Sequence, residues 1–223
     1  MAATSRWSPE LLQRLRAVGD PPADLLIEQL VARTGPAAAR EVFDRLIRAV
    51  ELPLEDLPTE FTAFYQAQRR LPPWTDLRLL TQAEALFAEH GPQFLLLLYF
   101  KSLPTLYSVA GGARVLQWTG RLAHQAPDMT RFSRRIAETG QFLLEVMGSP
   151  GLREGGQGVG AILKVRLIHA AIRHFLPPEK WDQVAWGTPI NQTHLAITLM
   201  TFSVSLLDGL RLLGLGASPA QEA

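Results

Sequence analysis

The segment Ala161-Ile-Leu-Lys-Val-Arg-Leu-Ile-His-Ala-Ala-Ile-Arg-His-Phe-Leu176 is apolar over most of its circumference, yet it carries two arginines and a histidine in register. At roughly 100° per residue, Arg166, His169 and Arg173 fall within an arc of about 60°. Leu163, Leu167, Ile168, Ala171, Ile172 and Phe175 make the remaining surface apolar. A helix of this kind is normally interior, and two guanidiniums inside a core need anions to pair with. The anions come either from Asp or Glu on a neighbouring helix or from a ligand that brings carboxylates beside a group that takes an imidazole. The other reading is that the arc is the solvated strip of an otherwise buried helix. His169 and His174 diverge by about 140° and do not share one metal.

Outward from this helix the same periodicity dominates. Apolar residues recur at three-and-four spacing and runs of alternating β-branched residues are almost absent, so the fold class is all-α. The expected architecture is a single-domain bundle of about eight to eleven helices around a buried apolar centre, spanning residues 1–223. Helices are expected over Pro9–Val18, from Leu25 to Gly35-Pro36, and over Ala37–Val50, with two or three more between Pro58 and Gly91. The paired prolines of Leu71-Pro-Pro-Trp74 forbid helix continuation, and Trp74 is expected to anchor that loop on the core. Phe94-Leu-Leu-Leu-Leu-Tyr-Phe100 is apolar all round and reads as the buried centre of the bundle. Gly111-Gly112 punctuates the next stretch, Asp128 is a candidate N-cap for a helix ending at Met147, and Thr188-Pro189 reads as the start of the last helical stretch.

Composition excludes several functions. Twenty-two Lys and Arg against 21 Asp and Glu leave a net charge of +1, so no bulk field draws nucleic acid or an anionic surface. The absence of cysteine removes disulfides, thiolate metal sites, iron–sulfur clusters and cysteine nucleophiles. Charged residues are only 19% of a chain that is 47% hydrophobic, which points to an apolar surface that is bound or covered. No secretory signal pattern opens the sequence, so a cytoplasmic location is expected. The apolar windows Phe94–Phe100 and Leu195–Leu207 fall short of the roughly 20 residues that span a bilayer, which leaves peripheral membrane contact as the expected limit. Glu154-Gly-Gly-Gln-Gly-Val-Gly160 lacks the Gly-Lys-Ser/Thr and the preceding strand of a phosphate loop, and no Gly-x-Ser-x-Gly turn supports a hydrolase. His90, before Gly91-Pro92, and His124 read as helix-end residues, whereas His194 is placed to face a pocket from the last helix.

A second polar set precedes the Arg-His-Arg helix. Arg135 and Thr139 are four apart and share a helix face, with Glu138 beside them. Haem meets the demands of both sets, because it brings an iron that takes one neutral imidazole, two propionates that pair with arginine, and a broad apolar disc, so the helical bundle is expected to be of haem-pocket type.

The string Lys164-Val-Arg-Leu-Ile-His-Ala-Ala-Ile-Arg-His174 stands between Arg135-Ile-Ala-Glu-Thr139 and Trp186-Gly-Thr-Pro-Ile-Asn-Gln192. Together these motifs resemble the rubber oxygenase and mpaB-type oxygenase family, which includes the latex-clearing proteins. The resemblance covers about residues 71–214, with residues 1–70 as preceding N-terminal helices. It implies an all-helical fold, haem b as cofactor, and His169 as the proximal iron ligand. Arg166, Arg173 and His174 look like the set that holds haem and helix in place, and Arg135 and Thr139 like the distal polar residues. The implied function is a haem-dependent oxidoreductase, an oxygenase using O₂ on a hydrophobic small molecule.

Two departures stand out. Latex-clearing proteins have a Lys just before the distal Thr where this chain has Glu138, and they use an acidic base on the preceding helix, whereas Lys101 to Pro127 contains neither Asp nor Glu. Glu138 is the candidate replacement base, with a plain surface charge as the alternative. Family members are also expected to continue with further helices. The competing function is a non-catalytic helical protein that binds haem or an apolar ligand, and a third reading assigns the low charge fraction to a dimer interface.

Overall fold

A computed structural model describes residues 7–49, 54–119, 130–216 and 218, and Asp128 and His124 lie outside this set. Among the described residues the regular structure is helical throughout, with ten helices of seven residues or more. The N-terminal layer holds α1 (Pro9–Leu15), α2 (Pro21–Thr34), α3 (Pro36–Arg48) and α4 (Thr59–Gln68). Each boundary has a local cause. Asp20 caps α2 ahead of Pro21-Pro22, and Gly35, at φ 81°, turns the chain sharply into Pro36 at the start of α3.

The long helix α5 (Leu77–Leu97) continues through a π-helical turn, Leu98–Ser102, into α6 (Leu103–Tyr107). The expected helix end at Gly91-Pro92 is therefore a kink. Pro92 has no N–H for the carbonyl four residues earlier, and His90 takes up the distortion at φ −122° and ψ 20° while the helix resumes beyond it. Gly111 and Gly112 likewise lie inside a helix, in the first turn of α7 (Ala110–Trp118). They are followed by α8 (Thr130–Met147), α9 (Gly158–Phe175), the short α10 (Gln183–Trp186), α11 (Gln192–Phe202) and α12 (Val204–Leu212). The N-cap of α11 is Asn191, whose Oδ1 accepts from His194 N at 3.0 Å, so Thr188-Pro189 belongs to the preceding turn.

The apolar interior divides into two main parts. In the first, Leu26, Ile27 and Leu30 of α2, Val42 and Leu46 of α3, and Phe61 and Phe64 of α4 surround Leu163, Leu167, Ala170 and Ala171 of α9. In the second, Phe87, Phe94, Leu98 and Leu103 meet Leu143 of α8 and Leu206 and Leu210 of α12. A smaller cluster joins Val115 of α7 to Ile172, Leu176 and Trp181. Two expectations are corrected here. The run Phe94–Phe100 is buried on one side only: Phe94 and Leu98 face inward, whereas Leu96 is 47% and Phe100 77% exposed. It is the centre of the second cluster, and α9 is the centre of the first. Trp74 is 83% exposed, because the turn closed by Thr75 N donating to Pro72 O projects it outward.

The last two helices correct the length estimate for an apolar span. Gln192–Leu212 together reach 21 residues, long and apolar enough by length and composition to cross a membrane, although Ser203 breaks them at φ −124° and ψ −87°.

Candidate functional site

Helices α8 and α9 are consecutive and pack against one another, joined by residues 148–157. Thr139 precedes Met147 by eight residues and His169 follows Gly158 by eleven, or about 12 Å and about 16 Å along the two axes at ~1.5 Å per residue. Both therefore sit within about one turn of the same level of the hairpin. The α9 stripe and the α8 pair thus lie at a similar level along the hairpin, with the arginines of the first turned to α2 and Arg135 of the second turned to Tyr107.

The α9 arginines are ion-paired to α2. Arg166 grips Asp20 with two hydrogen bonds, Nε to Oδ2 at 2.7 Å and Nη2 to Oδ1 at 3.0 Å, and its Nη1 donates to Gln68 Oε1 at 3.1 Å. The guanidinium also lies 5.4 Å from the centre of the Phe64 ring. Arg173, whose side chain is 7% exposed, donates from Nε to Asp24 Oδ1 at 2.7 Å and from Nη1 to Ile190 O at 3.2 Å. Its Nη2 stands beside the same Asp24 oxygen, close enough for attraction but without a hydrogen bond of its own. Of the readings open at the sequence level, the structure thus realises pairing with carboxylates of a neighbouring helix. Burial pushes the Asp20 carboxyl up, but the hydrogen bond and charge of Arg166, the Ala23 N–H and the charge of Arg173 together hold it below its ordinary 3.8.

His169, one turn from each arginine, is half-buried and engaged in an interaction of its own. His174 points elsewhere: it is exposed and stands edge-on to Phe175, with ring centres 5.1 Å apart at 89°. On α8, Thr139 Oγ1 donates back to Arg135 O at 2.9 Å, and Arg135 Nε donates to the Tyr107 hydroxyl at 3.3 Å, with the guanidinium 5.7 Å from that ring. Arg135 has no carboxylate partner among the described residues. Glu138 faces outward, 39% exposed, and accepts from Arg134 Nε at 3.0 Å. Gly140, next to Thr139, is buried where a Cβ would stand 2.5 Å from the Tyr99 hydroxyl, so any larger residue there displaces the Tyr99 side chain.

Away from this region, His90 lies 3.6 Å from Glu89. His194 packs its ring on Gly111, whose missing Cβ would lie 2.7 Å from His194 Cε1, and its Nδ1 is buried without a partner. Burial first, and then the charge of Arg16, hold its imidazole below 6.5, so it is neutral at pH 7. A narrow apolar gap bordered by Ile27, Leu30, Phe43, Phe61, Ala171 and Phe175 has room for about one water and lies on the side of α9 away from His169.

Sequence reasoning missed Asp20, Asp24, Gln68 and Tyr107. Asp20 carried a signal, since an Asp immediately before Pro-Pro marks an N-cap, but nothing local says that the cap also takes a guanidinium from α9.

The frame of this candidate site is two antiparallel helices in an all-helical chain, one with an imidazole flanked by ion-paired arginines and the other with an Arg and a Thr one turn apart. Residues 90–223, more than half of the chain, match the family described as ER-bound oxygenase mpaB/B'/Rubber oxygenase, catalytic domain, and the chain belongs to that family. It is 22% identical over 226 residues to a rubber oxygenase from Streptomyces sp. (strain K30), an alignment covering 96% of this chain and 53% of that protein. Its fold matches the structure of latex clearing protein LCP in the closed state, with a TM-score of 0.72 and 21% identity over 93% of this chain and 55% of the other. The chain thus spans about half the length of these relatives.

Proposed function

We propose that the chain is the haem-b-binding part of an oxygenase that acts on a hydrophobic substrate, with His169 as the residue that would hold the iron. Family membership supports the oxygenase class, and the observation that carries the cofactor is the donor set. Among the described residues no three His, Asp or Glu side chains converge to hold a bare metal ion. A single imidazole amid an apolar helix surface suits a metal that arrives with its own equatorial nitrogens. On the neighbouring helix α8, the half-buried Arg135 has, among the described residues, a phenol as its hydrogen-bond partner and no carboxylate, which leaves its charge available to an anionic group.

When bound, haem supplies an iron centre able to activate O₂. The protein's part is placement. His169 holds the group, Arg135 and Thr139 offer hydrogen bonds from the facing helix, and Tyr107 orients Arg135. Arg166 and Arg173, occupied by Asp20 and Asp24, fix the face of α9. Glu138 is engaged with Arg134 at the surface and serves as a base only if it leaves that pair. His174, exposed and edge-on to Phe175, points away from His169 and stands outside this arrangement.

Absorption spectra of the full chain expressed with haem precursor test the reading, with wild type beside His169→Ala. A Soret band in the wild type that is lost or shifted in the variant is expected. A folded wild type without the band, or an unchanged band in His169→Ala, overturns it. A second reading, a binding protein without turnover, is favoured by Glu138 in place of the family's Lys and by the lack of Asp and Glu from Lys101 to Pro127. It predicts haem uptake with no O₂ consumption in the presence of apolar alkenes.

A further inference from the structure

Two full positive charges stand one helical turn on either side of His169, at positions where side chains are ordinarily about 5–6 Å apart at Cβ. Left alone, they would impose a strongly positive field on anything the imidazole binds. The chain instead closes each with a carboxylate from the start of α2. Asp20 spends both oxygens on Arg166, and Asp24 divides its own, with Oδ1 accepting from Arg173 Nε and Oδ2 from the Asp20 backbone N–H at 2.8 Å. The two pairs are thus one linked unit.

The surrounding backbone is shaped to admit it. A Cβ on Gly19 would come within 2.6 Å of Asp24 Oδ2 and 2.8 Å of Arg173 Nε, so the glycine makes room for the pair. The stretch of chain leading into α2 is tied to the turn before α11 and to the first residue of that helix by Thr188 N donating to Arg16 O and Gln192 N donating to Val18 O, each at 2.9 Å. Thr188 Oγ1 adds a bond to Ala17 O at 3.0 Å. The strap from Arg16 to Asp20 is therefore anchored at both sides, and the carboxylates are held in place instead of sampling solvent.

We propose that Asp20 and Asp24 are positioning residues for the His169 site: they fix the Arg-His-Arg face of α9 and cancel the two positive charges beside the imidazole, which sets the electron affinity of the group it binds. This rests on the reading of His169 as a haem ligand. Removing either carboxylate would leave an uncompensated guanidinium one helical turn from the imidazole that would hold the group, which would favour the reduced, less positive form and raise the reduction potential.

The experiment is a spectroelectrochemical titration of the haem-loaded full chain, comparing wild type, Asp20→Asn, Asp24→Asn and the double variant Asp24→Asn/Arg173→Gln. Each single variant is expected to raise the potential, and the double variant, whose local charge balance is restored, to return toward wild type. If Asp24→Asn fails to fold, Asp20→Asn beside Asp20→Asn/Arg166→Gln makes the same comparison at the other pair. Potentials unchanged in the single variants overturn the inference while leaving the cofactor reading intact. A double variant as displaced as the single shows that packing, not charge, is at work and overturns the field argument. A folded wild type that takes up no haem overturns the cofactor reading, and this inference with it.

Discussion

The two apolar halves of the molecule are built from similar residues and end differently. Around α9 the helices α2, α3 and α4 enclose a core in which Leu46, Phe61, Leu163 and Leu167 are all but inaccessible, and the two arginines of α9 are matched by carboxylates from the start of α2. Around α5 and α12 the inner faces are as well buried, with Leu98, Leu206 and Leu210 at 0% exposure. The outer faces of that half are left apolar: Phe100, Leu199, Val204 and Leu212 are between 51% and 82% exposed, and no Asp, Glu, Lys or Arg occurs between residues 183 and 207. The comparison separates two ways of using an apolar helix. When every side meets a partner, polar residues must be paired internally. When one side does not, the helix keeps its apolar residues where water meets them.

Mutations should divide along the same line. The largest effect is expected from Leu167→Ala at the centre of the enclosed half, about 2–5 kcal/mol of destabilisation measured by urea unfolding. Asp20→Asn should cost about 1–3 kcal/mol, because it removes a charged acceptor that meets Arg166 twice and caps α2. It should also flatten the acid limb of the stability curve. A carboxyl held below its ordinary value contributes fully above pH 3.8, and that contribution is lost as the pH falls through the folded-state value, so wild type and variant should converge in strong acid. A slope in Asp20→Asn equal to that of wild type would contradict the pairing.

His194 gives a smaller effect of the same sign with pH in a milder range. Its imidazole, held below 6.5 by burial, is bound neutral in the folded state, so stability should be complete above pH 6.5 and decline as the pH falls below it. In His194→Phe that decline between pH 6.5 and 5 should be reduced. Smallest of all, Phe100→Ser or Leu199→Ser on the open face should change stability by less than about 0.5 kcal/mol while reducing self-association in light scattering. A loss comparable to that of Leu167→Ala would mean that these side chains are covered in solution.

Much of this was legible in the sequence, for reasons that differ by residue. Helix positions followed from three-and-four spacing and from prolines and caps, which act within a few residues; Asn191 displaced Thr188-Pro189 as the cap of α11 because either residue type suits the role and only the chain path chooses. The helical register of the candidate residues Arg135, Thr139, Arg166, His169 and Arg173 was legible, because spacing along a helix survives folding unchanged. The outward direction of Glu138 was not, since a residue adjacent to an inward Thr on a helix lies about 100° away and the neighbouring element decides which side is solvent. Phe100 misled for a related reason: an apolar run reports affinity for a core, not whether a core is present on that side.

What the sequence determined by itself was the all-helical class, the arginine and histidine register of α9, and the motifs that place the chain in its family, because these depend on contacts within a turn or two. What only the tertiary structure decided was which anions meet those arginines. Asp20 and Arg166 are 146 residues apart, and Asp24 and Arg173 are 149 apart. Such a pairing exists only after α2 has packed on α9, since a carboxylate and a guanidinium at that separation leave no periodicity, spacing or cap for a linear reading to find.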